Sequence, residues 1–188
     1  MAPSSLAKPS EYESLQKRPD EKILDDRPQE DGIPPISLLY DGFGQFLDIV
    51  AGATDIKNLP DVKAVELQLA VDKFAVSMCG FFTDEDKRRE KGLDLLNEIF
   101  AARKDRLHPT ITAGAIGSVR SDGHVVGGHG VATMIIEFKN RSTGNSGCPE
   151  VELVGYFARS FAKGVESQSE RLKEWRVPGL GITVVGMS

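Results

Sequence analysis

Cysteine is scarce in this chain. Cys79 and Cys148 are too few for a disulfide framework or a zinc cluster, and the pair suits a reducing compartment. Positive charge is also in deficit, with 23 Lys and Arg against 28 Asp and Glu. The net charge of -5 supplies no general field for nucleic acid, so any such contact needs a local patch. Long apolar runs are missing too. None approaches the ~20 residues that span a bilayer. The opening MAPSSLAKPSEYES holds no apolar stretch of a secretory signal. These absences set the expectation of an intracellular protein of the cytoplasm or nucleus, with no membrane partner.

What is there is enough for one domain: 188 residues, 40% hydrophobic and 27% charged. Residues 1–35 carry six prolines among Ser, Lys, Asp and Glu. They offer too little apolar surface to offset ordering entropy, and read as a disordered tail before a domain at 36–188. Ser37–Ala51 has Phe43, Phe46, Leu47 and Val50 at helical spacing. Asp61–Phe82 is the clearest helix, with a stripe of Leu67, Val71, Phe74, Met78 and Phe81. Thr83 is the expected N-cap of a second helix, Asp84–Arg103, with Asp86 returning the bond. The run DEDKRREK at its start reads as a solvated face. Beyond Pro109 the pattern turns to strands, Thr110–Val119 and Val131–Phe138, with a Gly127–Gly130 turn before the second. A helix opens at Pro149 and runs to about Lys163, with Val151, Val154, Ala158 and Phe161 as its core stripe. Trp175 anchors the linker that follows. Leu180–Met187 is a last buried strand, and the stop one residue later reads as a truncation.

The run VATMIIEFKN, residues 131–140, says more than burial. On a strand, Met134, Ile136 and Phe138 share one face, while Ile135, Glu137 and Lys139 share the other. Burying either charge unpaired costs several kcal/mol. Two explanations stand: a structural ion pair at a sheet edge, or a metal-centred active site. A hairpin centred between Gly128 and His129 sets Asp122 opposite Ile135, on the face of Glu137 and Lys139. Asp122 and Glu137 are then diagonal neighbours, and two carboxylates beside a lysine can hold Mg²⁺ and position an attacking water. Glu152, Tyr156, Arg159 and Lys163 fall on one polar side of the next helix, either solvated or part of a site.

Asp122, then Glu137-x-Lys139 on a core strand, then a polar helix, in αβββαβ order, resembles the PD-(D/E)xK restriction-endonuclease-like superfamily. Glu152-Leu-Val-Gly-Tyr156 is similar to the QxxxY helix of its RecB-type members, with Glu for Gln. The wording IIEFKN, a Gly-rich loop and CPEVELVGYF is similar to the nuclease-like domains of fungal crinkler-type proteins, which often precede a protein-kinase-like domain. Ser121, Arg141, Cys148 and Glu152 depart from the usual Pro, acid, Asp and Gln. The resemblance implies an α/β restriction-endonuclease-like core with extra N-terminal helices. It implies a phosphodiester hydrolase using Mg²⁺ or Mn²⁺ bound by Asp122 and Glu137, with Lys139 completing the catalytic set and Glu152 and Tyr156 accessory. The expected partner is nucleic acid, DNA ahead of RNA. The rival is an inactive interaction or regulatory module beside a kinase-like domain. His124 and His129 read as exposed turn histidines, not zinc ligands. GGHGVATMIIEFK mimics a kinase Gly-rich loop and lysine, but no HRD or DFG follows.

Overall fold

The structure is a computed structural model that describes residues 2–19, 41–55, 64–102, 109–116, 119–127, 130–140, 148–167 and 179–186. The β-branched and aromatic alternation after Val131 forms strand β3, Ala132–Lys139. It pairs on one side with β2 (Val119–Val126), antiparallel, and on the other with β4 (Leu180–Val185), parallel. Strand β1 (Thr112–Ile116) lies outside β2, giving the order β1-β2-β3-β4. Helices α1 (Pro3–Leu6), α2 (Pro9–Gln16), α3 (Asp41–Val50), α4 (Ala64–Met78) and α5 (Glu85–Ala101) precede the sheet. Helix α6 (Pro149–Ser167) provides the crossover that a parallel β3–β4 pair requires. The described residues are therefore mixed α/β, six helices around a four-stranded mixed sheet.

The two faces of β3 build two cores. Ile136 and Phe138 meet Met78, Leu93, Leu95 and Leu96 of α4 and α5, together with Ile111 and Val184. Ile135 meets Leu153 and Tyr156 of α6, with Ile116 and Ala132. The alternation read from the sequence is the one found.

Several expected details differ. Order does not wait for Ile36. Pro3 and Ala7 are buried, and the Ala7 carbonyl accepts the Cys148 amide at 2.9 Å, tying the N-terminus to the start of α6. Gly155 allows the approach, since a Cβ there would sit 3.1 Å from Pro3 Cβ. A proline at the first position of both α1 and α2 starts each helix without losing a bond, so proline content did not exclude these two helices, and the rest of the expected tail, 20–35, lies outside the described residues. Helix α4 ends at Met78, not Phe82, with Val71 40% and Phe81 88% exposed. Asp84, not Thr83, caps α5 by accepting the Lys87 amide at 2.8 Å. On α3, Phe46, Leu47 and Val50 are exposed. Residue 1 and residues 20–40, 56–63, 103–108, 117–118, 128–129, 141–147, 168–178 and 187–188 lie outside the described residues. Expectations for Ser37, His129, Arg141, Trp175 and the ends of 61–82, 84–103 and 180–187 fall there, and the side chain of Lys163 is likewise outside.

The fold yields a prediction with an unusual sign. Ala for Gly within a helix ordinarily gains about 1 kcal/mol. A Cβ on Gly92 would overlap the Phe138 ring. Gly92→Ala is therefore expected to destabilise by about 1–3 kcal/mol through overpacking. Urea unfolding measures it, and a stabilised variant would show that α5 does not press on β3 at this point.

Candidate active site

Two irregularities in the sheet aim the charged residues. The observed pairs Gly123↔Ile136, His124↔Ile135 and Val125↔Met134 are shifted two residues from the expected hairpin register. One residue of the shift lies in the turn, since Val126 pairs with Ala132 rather than Val131. The other is a bulge between Val125 and Val126 that absorbs Thr133. A single step would have turned every side chain to the wrong face. Two steps restore parity, and the register now runs Asp122 directly beside Glu137. In the second irregularity, Thr112↔His124 and Gly114↔Ser121 leave two residues of β2, Asp122 and Gly123, opposite one of β1. Asp122 Oδ2 accepts the Phe138 amide at 2.9 Å, and Oδ1 lies 3.6 Å from Arg89 Nη1 on α5.

Around Glu137 the charges converge. Lys139 Nζ lies 2.5 Å from Glu137 Oε1, 3.3 Å from Glu152 Oε2 and 3.7 Å from Glu85 Oε1. Glu137 and Glu152 are almost wholly buried, while Lys139 keeps 14% of its side-chain surface. Tyr156 donates to the Arg120 carbonyl at 2.8 Å and lies 3.4 Å from Glu152 Oε1. Burial, then the charge of Asp122, pushes the Glu137 carboxyl well above the usual carboxylate range, against the opposing bond from Lys139. Burial works against the charge on Lys139, but Glu137, Glu152 and Glu85 outweigh it and hold the amine above its ordinary value. Lys139 is thus a committed cation. It can orient a water but is not a base near neutral pH. Burial, with the charges of Glu137, Glu152 and Asp122, raises the Tyr156 phenol.

The five residues picked out from the sequence, Asp122, Glu137, Lys139, Glu152 and Tyr156, are brought together. The face assigned to α6 was inverted at its centre, while Val151 and Phe161 of the expected stripe are half-buried. Glu152, Tyr156 and Ser160 point at the sheet, whereas Val154 and Ala158 of the expected core stripe are exposed. The inversion is stable because each buried polar group has a partner. The Ala132 amide donates to Ser160 Oγ at 2.7 Å, and Glu152 meets Lys139. His124 is buried rather than exposed, its Nδ1 2.8 Å from Ser121 Oγ, and burial lowers its pKa.

Three residues of the supposedly solvated run DEDKRREK were missed. Glu85 and Arg89 reach Lys139 and Asp122. Arg88 is 1% exposed, donating to Asn140 Oδ1 at 2.7 Å and to the Met78 carbonyl at 2.8 Å, with the Phe82 ring 4.5 Å away. A signal existed. Arg88, Gly92, Leu95 and Ile99 recur at four-three-four spacing, which places Arg88 on the apolar stripe.

Among the described residues no three His, Cys, Asp or Glu side chains are gathered as a ready metal-ligand set. Mg²⁺ needs only one or two carboxylates and keeps several waters. Glu137 Oε2 is buried with no hydrogen-bond partner among the described residues. An orphaned carboxylate oxygen beside Asp122 is a donor set that fits such an ion. Two apolar clefts of about 440 and 420 Å³ lie elsewhere, between α4 and α5 and along α6. No helix of the described residues is long and apolar enough to cross a membrane. No family model, curated protein or solved structure matches the chain.

The raised Glu137 carboxyl makes stability pH-dependent. Its folded-state pKa exceeds the unfolded one, so its contribution is fully present below the ordinary carboxylate range. That contribution is lost as pH rises through the folded value. Without metal, wild type is expected to lose stability between about pH 5 and 8, by at most ~1.4 kcal/mol per pH unit for one proton. Glu137→Gln should flatten that slope, as thermal melts across the range will read. Parallel slopes in the two proteins would show that Glu137 titrates normally.

Proposed function

We propose that this chain is a metal-dependent phosphodiester hydrolase built on a restriction-endonuclease-like core, similar to the nuclease-like domains of crinkler-type proteins. One observation carries the reading. The buried Glu137 Oε2, without a hydrogen-bond partner among the described residues, stands on the same face as Asp122, with the Lys139 ammonium already on the other Glu137 oxygen. A structural Glu137–Lys139 pair accounts for one Glu137 oxygen and leaves the other without a hydrogen-bond partner among the described residues. The strand order and the placement of Glu152 and Tyr156 behind Lys139 support it further.

Asp122 and Glu137 would hold Mg²⁺ or Mn²⁺. When bound, such an ion stabilises charge on a phosphoryl oxygen and lowers the pKa of a water. The remaining work falls to side chains in place. Lys139 stays an ammonium, orients the attacking water and partly offsets the developing negative charge. Glu152 holds the Lys139 amine from the α6 side, and Tyr156 fixes α6 to the Arg120 carbonyl. The expected substrate is nucleic acid, DNA ahead of RNA, in the cytoplasm or nucleus. Three carboxylates around Lys139 repel a phosphate backbone, so productive approach depends on the added cation.

A second reading has its own observation. Lys139 and Arg89 already act as counter-ions to Glu137 and Asp122, which a catalytically inactive interaction or regulatory module beside a kinase-like domain would retain. Thermal melts with and without millimolar Mg²⁺ or Mn²⁺, run beside a plasmid-nicking assay, separate the two. The hydrolase gains stability by mass action, about 1.4 kcal/mol at ten times Kd, and nicks DNA. Asp122→Asn and Glu137→Gln lose both responses while remaining folded. A wild type that ignores both metals, with Glu137→Gln unfolding the domain, establishes the structural pair instead.

A further inference from the structure

We infer that Arg88 is a positioning residue that aims the Lys139 ammonium by clamping the exit of β3 through Asn140. Lys139 is the last residue of its strand, where pairing ordinarily frays. Its carbonyl accepts the Gly186 amide at 2.8 Å, which fixes it on the β4 side. On the far side of that contact lies the Arg88 guanidinium, and a Cβ on Gly186 would overlap it. Nε of Arg88 donates to Asn140 Oδ1 at 2.7 Å, one residue past Lys139. Its other nitrogens donate to the Met78 carbonyl at 2.8 Å and the Gly80 carbonyl at 3.3 Å, which close the end of α4.

These acceptors are all neutral. A buried guanidinium whose partners among the described residues are amide oxygens and the Phe82 ring is costly, and core packing alone is met more cheaply by a methionine. What the guanidinium adds is direction, because its planar fork fixes three acceptors at once. Those three belong to α4, to the loop after it and to the residue following Lys139. Glu85, Arg88 and Arg89 lie on one face of the first turns of α5, so Lys139, Asn140 and Asp122 are all met from the same helix. The role assigned to Lys139 rests on the hydrolase reading; the clamp does not.

The test uses the full chain without metal. The ¹H–¹⁵N signal of the Lys139 ammonium, assigned by its loss in Lys139→Arg, survives only while solvent exchange is slowed by the Glu137 and Glu152 bonds. Asn140→Ala removes the clamp and leaves Arg88 its two carbonyls, so the protein stays folded. The expected result is loss of that signal, with recovery in Asn140→Asp, whose carboxylate again accepts from Arg88. DNA nicking, measured in parallel, should fall at least tenfold in Asn140→Ala and recover in Asn140→Asp. An unchanged ammonium signal in Asn140→Ala overturns the inference and makes Arg88 a structural residue only. A signal that responds in a wild type that nicks no DNA upholds the clamp and removes the hydrolase reading.

Discussion

A carboxylate that cannot reach water governs this structure. Glu137 sits on the strand that both helical layers pack against, and it is nearly as buried as the apolar residues beside it. Burying it alone would cost several kcal/mol, so every neighbour able to lower that cost is recruited. Lys139 takes one oxygen. Because an ammonium so deep is itself expensive, it is drawn toward Glu152 and Glu85 as well. Glu152 then has to face the sheet, which turns α6 and carries Tyr156 and Ser160 inward with it. The same side of α6 carries Leu153 into the core beside Ile135, so charge and apolar packing agree on its orientation, and Val154 and Ala158 are left outside. The result still leaves Glu137 Oε2 without a hydrogen-bond partner among the described residues.

The backbone shows the same constraint. Neither bulge is needed to close a four-stranded sheet. The bulge at Thr133 restores the parity that the turn lost, and without it Asp122 would share a face with Phe138. The one at Asp122–Gly123 lets a side-chain oxygen take the Phe138 amide. Bulges concentrate where a side chain must be re-aimed, and here both act on the same two carboxylates.

How much of this was legible depended on the kind of signal. The alternation of Met134, Ile135, Ile136 and Glu137 gave the strand and its two faces, because period two admits no other partition. The gathering of Asp122 with Glu137 was reached through a register wrong by two, correct in parity because two single-residue errors cancelled. Nothing in the residues 127–133 announces a bulge. On α6 the apolar stripe Val151, Val154, Ala158 and Phe161 was misleading, since hydrophobicity ranks faces only when the polar residues lack partners. Ser160 and Tyr156 have theirs on β3 and β2, and no pattern within the helix can reveal that. Arg88 failed for the opposite reason. Its spacing to Gly92 and Leu95 was regular, but the surrounding charges suggested solvent.

The position of the cluster in the sheet ties these strands of argument together. In open α/β sheets the ends of parallel strands, where the pairing pattern changes, leave room that flanking loops and helix ends must fill. Here the change occurs at β3, antiparallel to β2 and parallel to β4. Glu137 and Lys139 lie at its C-terminal end. The first turns of α5 reach that end from one layer, where Glu85, Arg88 and Arg89 meet Lys139, Asn140 and Asp122, and the first turns of α6 reach it from the other, where Glu152 meets Lys139. Neither helix start could come so close in mid-strand, where side chains on both faces are already packed. The N-terminal segment extends the same logic outward. By accepting the Cys148 amide, Ala7 satisfies a group just before α6, so residues far from the cluster in sequence hold the helix that carries Glu152. The proline-rich start of the chain thereby belongs to the architecture of the cluster, two layers away from the carboxylate that requires it.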